Sequence, residues 1–196
     1  MRASTVFCTL TLIFLFVGSA QAENCISFIK PESVKVAWTG YKTSAKKAVK
    51  GELPAVEILT PKAKTDAELL SNVAFMIDPA KVTSGDAGRD ANLRNSFFKF
   101  LKNPYIKGYV ESADKTSAKI MLSMNGVSKL VPFKVKSDGK KYSAEGEIDV
   151  MDFAMQKSVE EFNKVCKDLH KGADGVSKTW STVSLNISAE LSQSCN

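Results

Sequence analysis

The chain has 196 residues and a formal net charge of +6. This length fits one ordinary domain, which can bury a core or enclose a cavity, and it requires no second domain. The lysines are spread along the whole chain, which is typical of a solvated surface. The alternative interpretation is attraction to anionic lipid headgroups.

The first residues have the pattern of a secretory signal peptide. Arg2 supplies a positive start, residues 6–17 form an apolar run, and residues 20–22 place small side chains at the cleavage positions. The apolar run of about 12 residues is shorter than the ~20 that span a bilayer core, so a permanent anchor is the weaker interpretation. We expect removal of residues 1–22, which leaves residues 23–196 as one exported domain. Export also argues against a nucleic-acid partner.

The cysteines outside this leader are odd in number. Cys8 would leave with the signal peptide, and Cys25, Cys166 and Cys195 would remain in an oxidising compartment. One disulfide and one spare thiol are expected, and the sequence does not choose among the three pairings. Lipidation of Cys25 is disfavoured because residues 22–24 are not the apolar and small ones that lipidation requires.

Most of the chain alternates apolar and polar residues in short runs. This period predicts strands with one buried face and one wet face. Residues 125–126 and 137–139 separate successive runs and predict tight hairpins. Many short strands joined in this way predict an all-β antiparallel sandwich or closed barrel, since closure removes exposed edges. The expected buried-face residues are Val34, Val36, Trp38, Phe75, Ile77, Leu122, Met124, Phe133, Val135, Leu185 and Ile187.

Two segments depart from the alternation. Residues 90–101 predict short helical turns with an apolar, partly aromatic face that needs cover. Residues 158–171 predict one amphipathic helix before the last strand, with Ser158 and Glu161 as a capping box. We expect this helix to pack on the sheet, and we expect the last strand to begin near Thr179. The apolar stripe of the predicted helix is Val159, Phe162, Cys166 and Leu169.

The sequence contains no recognised catalytic motif. It lacks a nucleophile elbow, a phosphate-binding loop and a Cys-x-x-Cys pair. Cys166 and His170, the only histidine, are four residues apart, as two metal ligands or an activated thiol would be, but nothing nearby completes either site. We interpret His170 as a surface residue at the helix end and Cys166 as a core or disulfide cysteine. We therefore predict neither an enzyme nor a metal site.

The predicted buried face has two interpretations. A barrel of about eight strands is either filled by its own side chains or holds one small ligand. Ligand pockets are typically apolar with few polar groups, so the same residues suit a core and a cavity. Because periodicity indicates burial only, a packed core is the default interpretation from the residues alone.

Three stretches of the sequence resemble the YceI-like family. Residues 78–94 are similar to its strand end, hydroxyl-bearing turn, Arg-Asp pair and helical turn. Residues 122–131 resemble its strand, Asn-Gly-Val-Thr-Lys hairpin and returning strand, and residues 144–153 resemble its next strand and Asp-Phe corner. With the strands at Trp38 and Leu185, the resemblance spans essentially the whole chain after the leader.

The resemblance implies an extended, lipocalin-like antiparallel β-barrel in the periplasm. It also implies that the interior binds a polyisoprenoid, such as an isoprenoid quinone, or a similar lipid, with the eleven buried-face residues as its walls. No other cofactor is expected, and transient contact with a membrane surface and a homodimer are further expected associations. Arg89 and Asp90 match the family motif, and we interpret them as a partly buried pair that fixes the helical turn rather than as a headgroup contact.

Two other functions are alternatives to lipid binding. One is a stress-related protein-interaction barrel with a packed core and no ligand. The other, ranked lowest, is a thiol-dependent enzyme that uses Cys166. The chain also departs from the family pattern at residues 110–112, which are less aromatic than usual, and at residues 158–178, which form a longer insertion than expected.

Overall fold

The computed structural model describes residues 25–60 and 62–195. The expected signal peptide, residues 1–22, lies outside the described residues. The strands are β1 (Cys25–Ile29), β2 (Lys35–Lys42), β3 (Lys47–Glu52), β4 (Val56–Ile58), β5 (Lys62–Ala63), β6 (Ala74–Ile77), β7 (Ile106–Ala113), β8 (Ser117–Met124), β9 (Val127–Ser137), β10 (Lys141–Asp149) and β11 (Thr182–Cys195). The helices are α1 (Asp66–Leu70), α2 (Ala87–Ser96) and α3 (Gln156–Val165).

The strands form one antiparallel sheet that curls into a barrel. Its order is β3-β2-β11-β10-β9-β8-β7-β6-β4, and β1 pairs with both β11 and β5. The end strands β3 and β4 are consecutive in the chain, and Glu52 exchanges two backbone hydrogen bonds with Thr83 beyond β6. The all-β barrel is therefore confirmed. The strand number is not, because the described residues form eleven strands rather than about eight, several of them too short to show alternation.

The two predicted hairpin turns join β8 to β9 and β9 to β10. Asn125 and Gly126 both have positive φ values, 54° and 81°, as a tight two-residue hairpin requires. In the second turn Gly139 has a φ of 96°. The Asp138 carboxylate accepts hydrogen bonds from the backbone N–H groups of Lys140 and Lys141 at 3.0 and 2.8 Å. Both turn predictions are confirmed.

The first helical segment begins earlier than predicted. Helix α2 starts at Ala87, where the Asp86 side chain accepts a hydrogen bond from the Arg89 backbone N–H. This is an N-cap, and it moves the helix start three residues before the predicted one. A single 3₁₀ turn at Phe98–Phe100 follows α2. Leu93, Phe97 and Leu101 of the predicted apolar face pack against the apolar core together with Phe98. Phe100, the fourth residue of that predicted face, lies instead with its ring centroid 5.0 Å from Lys157 Nζ.

The second helix is present, but its predicted limits and capping box are wrong. Helix α3 begins at Gln156 and ends at Val165, and its N-cap residue Met155 makes no side-chain capping bond. Ser158 lies inside the helix and is 2% exposed. The start is set by the preceding residues, because Ala154 has a left-handed φ of 53° and Met155 is buried in the core. Among the described residues, no helix is long and apolar enough to cross a membrane.

The disulfide joins the two ends of the described chain. Cys25 and Cys195 are register partners on β1 and β11, and their sulfur atoms are bonded. Cys166 is the free cysteine among the described residues, and it is buried. One disulfide and one spare thiol are thereby confirmed. Beside the disulfide, β1, α1, β11 and the residue before β6 contribute an apolar cluster, which consists of Ile29, Leu69, Val73 and Leu191.

Candidate ligand-binding cavity

The barrel encloses a cavity of about 540 Å³. A packed interior, the default from the residues alone, is therefore wrong. The structure brings the residues of the predicted buried face together on the wall of this cavity. They are Val34, Val36, Trp38, Phe75, Ile77, Leu122, Met124, Phe133, Val135, Leu185 and Ile187.

Further apolar residues of the wall were missing from the predicted set. Some lie in strands too short to show alternation, such as β4, and others lie in α2 or in the turn that follows it. The helical spacing of Leu93 and Phe97 was a usable signal, but it did not indicate which side of the barrel they would cover. These residues include Ile29, Leu53, Val56, Ile58, Val73, Leu93, Phe97, Phe98, Ile106 and Val110.

Aromatic residues on the wall lie over glycines of the neighbouring strand. The cross-strand pairs are Trp38 with Gly51, Phe75 with Gly108, and Phe133 with Gly146. A Cβ atom on Gly146 would lie 2.7 Å from two carbons of the Phe133 ring. The rings thus occupy the space that a side chain on the opposite residue would fill. They lie along the wall instead of across the lumen, which helps to keep the cavity open.

Polar side chains are concentrated at one end of the cavity. Here Lys42 Nζ donates a hydrogen bond to the Leu169 carbonyl at 3.0 Å, and Asn92 Nδ2 donates to Cys166 Sγ at 3.8 Å. These contacts join the end of β2, helix α2 and the segment after α3. We call this end the polar rim. It comprises Tyr41, Lys42, Asp86, Gly88, Arg89, Asn92, Cys166, Leu169, His170, Thr179 and Trp180.

The cavity reaches solvent at the polar rim. Asp86, Gly88 and Leu169 line the cavity and are also exposed. At the opposite end one exposed residue, Asp114 in the turn between β7 and β8, belongs to the wall. Three of the four exposed wall residues are thus at the rim, which makes the rim the main candidate entrance.

His170 is a buried part of the rim, so its interpretation as a surface residue is wrong. Its side chain is 8% exposed, and Nδ1 lies 2.7 Å from Thr179 Oγ1. The Thr179 hydroxyl donates its proton to Asn163 Oδ1 at 3.0 Å, so Nδ1 of His170 must donate to Thr179. Burial, together with the charge of Lys42, lowers the pKa of His170 to about 4. The imidazole is therefore neutral at pH 7, with Nε2 as an acceptor.

Cys166 is held as a protonated thiol. Burial raises its pKa, against the weaker effects of Asn92 and Lys42. Its sulfur contacts Asn92, and the hydrogen bond between Cys166 and His170 joins their backbones. Among the described residues, no three His, Cys, Asp or Glu side chains cluster as metal ligands. The Cys166 thiol is therefore not an activated thiolate.

Arg89 and Asp90 are connected through Ser84 rather than paired directly. Arg89 Nε donates to Ser84 Oγ at 2.8 Å, and Ser84 Oγ donates to Asp90 Oδ1 at 2.5 Å. Asp90 also accepts a hydrogen bond from Thr83 at 3.3 Å. The predicted direct pair is corrected, and its expected role of fixing the helical turn belongs to this network. Arg89 also lines the rim.

The comparisons with known proteins agree with this architecture. The family model described as YceI-like domain matches residues 28–191. The chain belongs to the YceI-like family. No curated protein matches this YceI-like chain.

Solved structures share the YceI-like fold at low sequence identity. A polyisoprenoid-binding domain from Saccharophagus degradans, implicated in plant cell wall breakdown, is 10% identical and has a TM-score of 0.58 over 84% of this chain and 97% of its own. Burkholderia cenocepacia BcnA is 12% identical and has a TM-score of 0.53 over 84% of this chain and 99% of its own. The lipocalin-like barrel expected from the YceI-like resemblance is confirmed.

Proposed function

We propose that this YceI-like protein is a periplasmic carrier or sequestering protein for a polyisoprenoid, such as an isoprenoid quinone, or for another long-chain lipid. The observation that carries the proposal is the apolar cavity of about 540 Å³ inside the barrel. Its size lies within the ~300–1,000 Å³ typical of ligand pockets. The shared fold with a polyisoprenoid-binding domain supports the same class of ligand.

The apolar wall supplies the binding energy in this proposal. Each CH₂ group of a lipid tail that leaves water for the cavity contributes about 0.8 kcal/mol. A long tail therefore needs few polar contacts to bind tightly. The inward residues of β2, β8, β9 and β11 would contact the tail, including Trp38, Leu122, Phe133, Leu185 and Ile187.

The polar rim gives the ligand an orientation. A polar headgroup would remain at the rim, where Lys42 supplies a positive charge and His170 a neutral acceptor. The tail would extend towards the disulfide, where Leu191 and Ile29 form part of the wall. This arrangement keeps every polar ligand atom near solvent, which avoids the cost of burying unpaired polar groups.

Two features support a periplasmic location. The leader has the composition of a secretory signal peptide. The Cys25–Cys195 disulfide suits an oxidising compartment. The role of the protein there is binding rather than catalysis, because the buried thiol of Cys166 and the neutral His170 do not form a reactive pair.

The cavity weighs against the alternative of a protein-interaction barrel with a packed core. Such a barrel needs no lumen, and its inward aromatic rings would be expected to fill the centre. Here the rings of Trp38, Phe75 and Phe133 lean over glycines of the adjacent strands. Lipid binding therefore accounts for a feature that a packed core does not require.

Organic extraction and mass spectrometry of protein purified from its native periplasm test the proposal. We expect a stoichiometric long-chain lipid, and a protein that carries none and takes up none on reconstitution would overturn the assignment. Ile187→Trp places a large ring in the lumen and is expected to reduce the extracted lipid at least fivefold. Its matched control is Asn186→Trp, one residue away on the exposed outer face, which is expected to retain the lipid.

A further inference from the structure

Exposed apolar side chains are concentrated in the segment that follows α3. Among the described residues, the three most exposed large hydrophobic side chains are Val165, Leu169 and Val176, at 52%, 62% and 51%. Large apolar side chains grouped on a surface commonly mark an interaction site. We call residues 164–178, which contain all three, the docking segment.

The docking segment folds so that these side chains belong to one region of the surface. Val165 and Leu169 are separated by about one helical turn, and the His170 backbone N–H bonds to the Cys166 carbonyl at 2.9 Å. The chain then reverses, because Lys171 bridges to Ser177 and the Gly172 N–H bonds to the Val176 carbonyl at 2.8 Å. Val176 therefore returns to the neighbourhood of the turn that carries Leu169.

Basic residues surround this apolar surface. The docking segment contains four lysines and two aspartates, Asp168 and Asp174. Within the part of the chain that the structure describes, Lys164 pairs with Glu161, whereas Lys167, Lys171 and Lys178 form no ion pair. These three unpaired lysines are exposed and are free to meet anionic groups.

An aromatic residue with two lysines lies beside the docking segment. Lys178 Nζ lies 3.7 Å from the Trp180 ring centroid, and Lys46 Nζ lies 5.1 Å from it. Trp180 Nε1 donates to the Thr43 carbonyl at 2.9 Å. Apolar tips flanked by lysines and a tryptophan match the boundary between headgroups and acyl chains of a membrane.

We propose that the docking segment binds the surface of an anionic membrane and places the polar rim against it. Leu169 of the docking segment and Trp180 beside it both line the cavity, so the two sites are continuous. A docked protein would pass a lipid tail between bilayer and cavity with little exposure to water. The transfer role rests on the proposed lipid binding, whereas membrane attachment is measured independently of it.

Vesicle co-sedimentation of the purified protein tests the docking surface. We expect binding to phosphatidylethanolamine–phosphatidylglycerol vesicles and at least tenfold weaker binding to phosphatidylcholine vesicles. The triple variant Val165→Ser, Leu169→Ser and Val176→Ser is expected to bind the anionic vesicles at least tenfold more weakly than the wild type. The control changes Leu59, Tyr109 and Leu130 to Ser, which are also exposed but outside the docking segment, and it is expected to bind like the wild type.

Charge reversal of two lysines in the docking segment tests the contribution of its charges separately from that of its apolar side chains. Lys167→Glu with Lys171→Glu is expected to weaken binding to anionic vesicles about tenfold or more, because each surface lysine contributes about a fivefold effect. Lys134→Glu with Lys136→Glu makes the same change in net charge on β9. That control is expected to have a markedly smaller effect. Equal losses in both pairs would mean that only net charge matters and would overturn the assigned surface.

Other outcomes separate this proposal from the proposed function. Unchanged vesicle binding by the folded triple-serine variant, judged by its thermal unfolding, would overturn membrane docking. So would a concentration-dependent dimer of the wild type that the triple variant abolishes, because the surface would then bind a second copy. If Val165→Ser with Val176→Ser, two residues outside the cavity wall, retains extracted lipid but loses vesicle binding, docking is supported. If the wild type binds vesicles but never contains lipid, the lipid-binding assignment fails and the docking surface stands.

Discussion

The two ends of the barrel differ in the interactions that hold them together. Strand β11 links them, since it begins at Thr182 beside the polar rim and ends at Cys195. The disulfide end combines a covalent bond with the cluster around Leu69, whose side chain is 1% exposed. The rim end combines buried polar groups with Leu169, which is 62% exposed. We therefore expect the disulfide end, opposite the main entrance, to be more stable than the rim end.

This difference has a physical reason. A cavity lacks the close packing that stabilises a core, so the surrounding sheet must be held by other contacts. At the disulfide end, Lys30 Nζ also pairs with Glu190 Oε1 at 2.6 Å. The rim depends on hydrogen bonds such as that between His170 and Thr179. Regions of this second kind open more readily, as a ligand entrance requires.

Removal of the disulfide is expected to have the largest effect on stability. The bond links residues 170 positions apart, and closing so long a loop stabilises a fold by about 4–5 kcal/mol in the chain-entropy description. We expect Cys25→Ala with Cys195→Ala to lower the free energy of unfolding by that amount in urea. Cys166→Ala, the control, is expected to leave the sensitivity of the protein to reductant unchanged. A loss below about 1 kcal/mol in the double variant would contradict the special role of this end.

Matched leucine truncations compare the two ends directly. Leu69→Ala removes a fully packed side chain and is expected to cost about 3 kcal/mol. Leu169→Ala removes an exposed side chain and is expected to change the free energy of unfolding by less than about 0.5 kcal/mol. Chemical denaturation of both variants measures the difference. Equal losses would show that the two ends are equally important for stability.

The pH dependence of stability reports on the rim. Since the pKa of His170 falls from 6.5 to about 4 on folding, the unfolded chain binds the proton first as the pH decreases. The contribution of His170 to stability is therefore present above pH 6.5, is lost between pH 6.5 and 4, and is constant below pH 4. We expect a loss of about 3 kcal/mol across this window, since each pKa unit corresponds to about 1.4 kcal/mol. His170→Gln is the control, and a wild-type profile identical to that of the variant would contradict the burial of a neutral imidazole.

Gly146→Ala is expected to have a moderate effect on stability and a specific effect on the cavity. The new methyl group would meet the Phe133 ring and push it from the wall towards the lumen. We expect a cost of about 1–2 kcal/mol and a lower capacity for long tails, measured by extraction and mass spectrometry. Gly139→Ala is not a suitable control, because Gly139 has a positive φ. Ala144→Ser, two residues away on the same strand, tests a small polar change on the same wall.

The sequence predicts the barrel well because its main signals are local. Alternation identifies the longer strands, and the pair Asn125-Gly126 identifies a turn whose φ values suit those residues. The limits of α3 are less predictable. Ser158 and Glu161 have capping-box spacing, but the burial of Met155 moves the helix start to Gln156. Tertiary packing determines that boundary, so no local sequence pattern predicts it.

The candidate site is predictable in composition but not in shape. Alternation places Trp38 and Phe133 on the inner face, yet it does not indicate whether their rings fill the lumen. That depends on the glycine opposite each ring, which is known only once the strand register is known. The position of His170 is likewise non-local, because its partner Thr179 lies beyond a chain reversal. These features require the assembled fold.

The bond between Cys25 and Cys195 also determines how the protein can be handled. Any segment attached before Cys25 or after Cys195 leaves the barrel at the disulfide end, a full length of β11 away from the rim. A tag or surface linker at either position would therefore orient every molecule alike, with the entrance facing the solution. Sensors and immobilised capture devices for hydrophobic molecules need that orientation, and here the covalent frame of the barrel supplies it.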